Sequence, residues 1–151
     1  MAITPETRDY RTFEVRALDT GEEDKQYRVE GYAAVFDEET VLYEYDGIEY
    51  KEVIDRSAFT GAEMRDVVMN YNHGGKPVAR TKNGTLQLTV DTRGLRISAD
   101  LSGTEEGRRL YEEIRGGYLD QMSFAFTVNK QEYDRAKHLR RITGFKRVFD
   151  V

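Results

Sequence analysis

Two histidines, four serines and no cysteine set the terms on which this chain of 151 residues could carry out catalysis. Without cysteine there is no thiolate nucleophile, no disulfide and no Cys-ligated zinc. Two histidines far apart leave only scattered carboxylates with no metal-ligand spacing. Neither a metal nor any other cofactor is therefore expected. What remains is hydroxyl chemistry. A serine that attacks a carbonyl needs a base to take its proton, a group to orient that base, and donors for the developing oxyanion.

Histidine is the natural base at neutral pH. His73 follows Val67-Val68-Met69-Asn70-Tyr71-Asn72 and precedes Gly74-Gly75, where a partly apolar strand runs out into a turn. A side chain there reaches a cleft from an anchored backbone, although an ordinary loop histidine fits the same position. His138 is embedded among Arg135, Lys137, Arg140 and Arg141 and reads as a solvated strand-edge residue. Among the serines, Ser57 reads as a helix cap, Ser98 as the outward residue of a strand, and Ser102 as part of a turn. Ser123 differs, because it shares a strand face with the small residues Ala125 and Thr127. Such a face leaves room for a substrate carbonyl, or else packs against a helix. Ser123, His73 and an acid such as Asp150 form one coherent set. A chain of this size often contains such a set, and a triad need not be local in sequence.

The elements that must position these residues are mostly strands. Period-2 alternation runs through Phe13, Val15 and Ala17, and through Tyr27, Val29 and Gly31 into the apolar run Tyr32–Phe36. Leu86, Leu88 and Val90 are joined to Leu95, Ile97, Ala99 and Leu101 by Asp91-Thr92-Arg93-Gly94, which predicts a hairpin. Met122 to Lys130 and Leu139 to the C-terminus are two further strands. Two helices are expected. One is a short segment ending near Arg65 with Asp55 or Ser57 as its cap. The other spans Thr104 to Arg115, capped by Thr104 and ended by Gly116-Gly117. The expected fold is mainly β with a few helices, an α+β or barrel-like domain. Residues 1–10 are expected to be a flexible segment, with residues 11–151 forming one domain. The acidic turn from Asp19 to Asp24 is expected to be loose.

Charge narrows the partners. There are 23 Lys+Arg against 28 Asp+Glu, a net charge of −5. That balance argues against nucleic acid, whose affinity comes from cationic neutralisation of phosphates. The basic group Lys137, Arg140, Arg141, Lys146 and Arg147 reads as a solvated strand face. No stretch of about 18 apolar residues occurs, so no membrane span is expected. The N-terminus lacks a signal peptide's apolar run, which suggests a soluble intracellular protein.

The chain also resembles the HK97-like prohead maturation proteases of tailed bacteriophages. The pieces that carry the resemblance fall in the family's order. They are Glu30-Gly31-Tyr32-Ala33-Ala34-Val35-Phe36, Glu52 to Phe59, Asn72-His73, Pro77-Val78-Ala79-Arg80, the Gly94-Leu95 strand, Gly117 to Phe126 and Phe149-Asp150-Val151. The resemblance implies a fold similar to the herpesvirus assembly proteases, a β-barrel flanked by helices. It implies a serine endopeptidase acting in the bacterial host cytoplasm, inside the assembling procapsid. Its substrates would be the phage major capsid protein or a scaffolding protein, and also the protease itself. Carried over by motif, Ser123 is the nucleophile, His73 the base and Asp150 the acid, with His138 a minor alternative to Asp150.

Two departures stand out. Ala125 replaces the glycine usual after Ser-Phe, so its methyl is expected to narrow the groove or restrict the backbone. The chain also stops at Val151, where the family continues, which suggests a truncated C-terminus. Both leave room for a second reading, a non-catalytic capsid assembly or scaffolding module. Self-association is open too, with Tyr43, Tyr45 and Tyr50 around Gly47 as a candidate loop interface.

Overall fold

A computed structural model describes residues 8–18, 27–71 and 74–151. The acidic turn from Asp19 to Asp24, most of the N-terminal segment and His73 therefore lie outside the described residues. Ten strands and one α-helix follow in chain order: β1 Asp9–Leu18, β2 Arg28–Val35, β3 Thr40–Tyr45, β4 Ile48–Ile54, β5 Val68–Tyr71, β6 Gly74–Arg80, β7 Leu86–Val90, β8 Gly94–Asp100, α1 Glu105–Arg115, β9 Gln121–Asp134 and β10 Leu139–Asp150. The fold is mainly β, as the alternation predicts. The sheet runs β3-β4-β10-β9-β1-β2-β8-β7, with β5 joined to β10 and β6 to β5, and curls into a half-barrel.

β1 makes the curl possible. Asp9 to Glu14 pair with β9, whereas Val15 to Leu18 pair with β2 on the other side. One strand thus hands over between two halves of the sheet. Just past β2, Phe36 bridges to Ile54, the last residue of β4. The residues facing inward are those the period-2 pattern selects: Phe13, Val15, Val29, Ile97, Phe124, Phe126 and Val148 belong to one buried cluster. Phe124 and Phe126 stack at 4.7 Å, and Phe145 meets Phe126 edge-on at 4.9 Å. The inner face also holds a buried ion pair. Arg11 grips Glu52 with two 2.8 Å hydrogen bonds, and Arg140 reaches the same carboxylate at 3.2 Å. This ties β1, β4 and β10 together.

The hairpin of β7 and β8 forms as expected. Asp91 closes it, its Oδ1 accepting from the N–H of Arg93 and of Gly94. Gly94 is needed there for a steric reason. A Cβ on it would lie 1.9 Å from the carbonyl oxygen of Ala34. Gly94→Ala is expected to push β2 and β8 apart and cost about 1–3 kcal/mol. A lowered urea midpoint with unchanged slope would record it.

α1 matches its expected bounds. Thr104 accepts a hydrogen bond from the N–H of Gly107, and Glu105 and Glu106 occupy the first turn. Leu110, Tyr111 and Ile114 enter the core, and the helix packs on β1 and β6.

The expected helix ending near Arg65 does not form. Asp55 does bind the N–H and the hydroxyl of Ser57, and turns follow in which the N–H groups of Ala58, Thr60 and Ala62 each bond three residues back. The carbonyl of Ala58, which a helix would need, accepts instead from the N–H of Phe145. Glu63 then bridges to Arg147. Competition from the edge of β10 holds this segment as turns.

Acid stability has an identifiable contributor. Glu30, almost buried on β2, accepts from Arg96 at 2.5 Å and from Arg16 at 2.9 Å. The Arg96 hydrogen bond, then the Arg16 one, hold its carboxyl below the ordinary value. A carboxylate depressed by folding stabilises the native state above about pH 4.3, its unfolded value, and loses that contribution as pH falls through its folded value. Glu30→Gln should therefore lower the urea midpoint at pH 7, with the gap to wild type closing as pH drops below about 4.

Candidate active site

Ser123 is the third residue of β9, half-buried, and opposite Thr12 of β1. Its hydroxyl has no hydrogen-bond partner among the described residues. Alternation places it with Ala125 and Thr127 on one face, opposite the core face that carries Phe124 and Phe126.

Asp150 ends β10 and is 8% exposed, which makes it one of few buried acids among the described residues. Its register partner on β9 is Ala125, and its partner on β5 is Val68. Directly paired residues share a face. Asp150 therefore stands on the Ser123 face, one strand over and two residues along. A row Tyr10, Ala125, Asp150, Val68 crosses β1, β9, β10 and β5. This juxtaposition is invisible in the sequence, because it depends on four register shifts between β9 and β10, the last of them at Val148/Asp150.

His73 lies outside the described residues. The strands that flank it in the chain are described: β5 pairs with β6 through Val68–Arg80, Met69–Ala79 and Tyr71–Gly74. β5 in turn lies beside the end of β10, with the Val151 N–H donating to the carbonyl of Val68 and the Asn70 N–H donating to that of Val151.

Asn70 is a residue the sequence reading passed over. It is buried on β5, and its Oδ1 has no hydrogen-bond partner among the described residues. The pairing of Asp150 with Val68 puts Asn70 on the same sheet face as Asp150 and Ser123. The available signal was an amide directly after Val67-Val68-Met69, since buried amides are expected to be hydrogen-bonded. Thr127 Oγ1, also buried, has no partner among the described residues either.

His138, the minor alternative to Asp150, lies far away. It occupies the turn between β9 and β10 with φ of 51°, its ring 5.1 Å from that of Tyr50. β9 and β10 form an antiparallel hairpin, so Ser123 is at the opposite end, roughly 35 Å along the strand by the usual rise per residue. Two members of the neighbouring basic group are engaged in ion pairs. Arg140 pairs with Asp9 and Glu52, and Arg141 with Asp37 and Asp55.

Ala125 behaves more simply than its departure from the family pattern implies. It is fully buried and in ordinary strand geometry, absent from the positive-φ residues. An open cleft of about 1150 Å³ runs along β1, β2 and β3, lined by residues that include Arg11, Thr12, Phe13, Tyr43, Glu52 and Phe124. Among the described residues no group of three or more His, Asp or Glu could hold a metal.

In this mainly β fold, Ser123 and the buried Asp150 share one sheet face on neighbouring strands. Residues 11–151 match the caudovirus prohead serine proteases, and the chain belongs to that family. No curated protein and no solved structure matches it. Membership makes it a serine protease of the phage prohead, a class concerned with capsid maturation. It implies capsid or scaffold proteins as substrates and action inside the assembling procapsid. No helix among the described residues is long and apolar enough to cross a membrane.

Proposed function

We propose that the chain is an endopeptidase that cuts segments from the phage scaffold or major capsid protein, and from itself, through Ser123, His73 and Asp150. The observation that carries this reading is the register of β9 and β10, which sets Asp150 opposite Ala125, two residues along from Ser123 on the same sheet face. Ser123 Oγ attacks the scissile carbonyl carbon as His73 takes its proton. The oxyanion is held by backbone N–H groups, and collapse expels the amine, which takes the proton back from His73. A water molecule, deprotonated by the same histidine, then releases the acyl group from Ser123. Asp150 holds the imidazole in the required tautomer and stabilises its cation. The motifs running from Glu30-Gly31-Tyr32 to Phe149-Asp150 support, within this proposal, an HK97-like subtype and a relation to the herpesvirus assembly proteases.

A serine-reactive fluorophosphonate separates this enzyme from a protease-like assembly module. The reagent is expected to label the protein once, with the adduct mapping to Ser123 in a tryptic digest. The labelling rate should fall as pH drops through about 6.5, the ordinary value for a histidine that must be neutral to accept the proton. A protein that stays unlabelled while folded, and that binds capsid or scaffold protein without cutting it, is the assembly module instead.

A further inference from the structure

The loop interface expected around Gly47 is a β-hairpin. Asp46 and Gly47 both have positive φ, at 53° and 76°, and form a two-residue turn between β3 and β4. β4 joins β10 only at Leu139 to Ile142, so the hairpin lies about 25 Å along β10 from Asp150. β3 is the end of the sheet, and no strand among the described residues pairs with its outer edge.

The two faces of this hairpin differ. Tyr43 stacks on Tyr50 at 4.8 Å, and Tyr45 pairs with Ile48, which puts these four side chains on one face. Tyr45 is 72% exposed and Tyr43 57%. The other face sets Glu44 directly opposite Glu49. Like charges so placed repel and destabilise the pair. From Asp37 to Glu52 the chain carries seven carboxylates and a single base, Lys51. Lys51 is shared between Glu39 and Glu49, at 3.8 and 3.9 Å. Glu38, Glu44 and Asp46 have no cationic partner among the described residues.

We infer that the outer edge of β3 docks an extended peptide segment of a partner protein in which Lys or Arg alternate with apolar residues. The unpaired backbone edge supplies strand-addition hydrogen bonds. The alternation matches the two faces: apolar side chains lie on Tyr43 and Tyr45, while the cations face Glu44 and relieve its repulsion with Glu49. The same charges disfavour a second copy of this chain, since edge-to-edge pairing of two β3 strands would bring acidic strand against acidic strand. This surface is separate from Ser123, and the inference does not rest on the catalytic reading.

The test uses the Ser123→Ala protein, so that cleavage cannot consume the probe. The probe is a fluorescein-labelled seven-residue peptide of alternating Lys and Val. Its controls are alternating Glu and Val, and the Lys–Val peptide N-methylated at every second amide. The Lys–Val peptide is expected to bind, more weakly as salt rises, with at least tenfold loss on N-methylation. The Glu44→Lys/Glu49→Lys double variant should lose at least tenfold and accept the Glu–Val peptide instead. Tyr45→Thr, an exposed change that keeps the strand, should weaken the Lys–Val peptide without changing its salt dependence. Failure of the Lys–Val peptide to bind overturns the inference. So does equal binding of the N-methylated peptide, which would be charge attraction without strand addition. Dimerisation of the protein through this edge, seen by sedimentation and abolished in the double variant, overturns it as well.

Discussion

Ser123→Ala is expected to stop cleavage of scaffold or capsid protein, with a fall on the order of 10⁶-fold in turnover, while the protein stays folded. The size of the effect follows from the step removed. Without a nucleophile no acyl intermediate forms, and the remaining groups can only bind substrate and polarise its carbonyl. The fold should hardly notice. Ser123 is half-buried, and its hydroxyl makes no hydrogen bond among the described residues, so its loss should change stability by less than about 1 kcal/mol. Intact mass over time, alone and with the scaffold partner, reads both points. Fragments should accumulate in wild type and be absent from the variant. Fragments in both would remove Ser123 from the mechanism.

Asp150→Asn should lower turnover by about 10³–10⁴-fold with a much smaller effect on KM. An amide has the shape of the carboxylate and keeps the backbone pairing with Ala125 and Val68. It lacks the charge that stabilises the imidazolium, and it favours the wrong imidazole tautomer. A purely structural Asp150 predicts a different outcome: Asn would shift the urea midpoint, and turnover measured well below the melting temperature would stay near wild type. The His138→Gln variant is the contrast, because that side chain lies against Tyr50 at the other end of the hairpin. It should leave turnover unchanged.

Much of the scaffold was legible because local rules suffice for it. Alternation marked β1, β2, β7, β8 and β9, a Gly-ended polar connection marked one hairpin, and a capping threonine with two following glutamates marked α1. Each signal is a property of neighbouring residues. β9 runs on to Asp134, past the expected Lys130, since its last residues are exposed and carry no apolar pattern. The β3–β4 hairpin, expected only as a loop, is hidden for a similar reason. β3 is exposed at all but one position, and only the Asp46-Gly47 turn signals the hairpin. The expected helix before Arg65 failed through a long-range competitor, the N–H of Phe145, which no local rule can show.

The site divides along the same line. Sequence alone determined the residue types that chemistry could use: one serine on a small-residue strand face, one histidine in a turn before two glycines, and no thiol. Motif order tied them to a family. Tertiary structure decided the rest, since strand register is a relation between distant segments. The register shifts between β9 and β10 put Asp150 beside Ala125 and so on the face of Ser123, and a shift of one residue would have turned its carboxylate to the core. The same hairpin carried His138 to the opposite end of the molecule. Neighbour in the chain and neighbour in the sheet are independent facts, because side-chain direction repeats every two residues while pairing is set by the whole curled sheet.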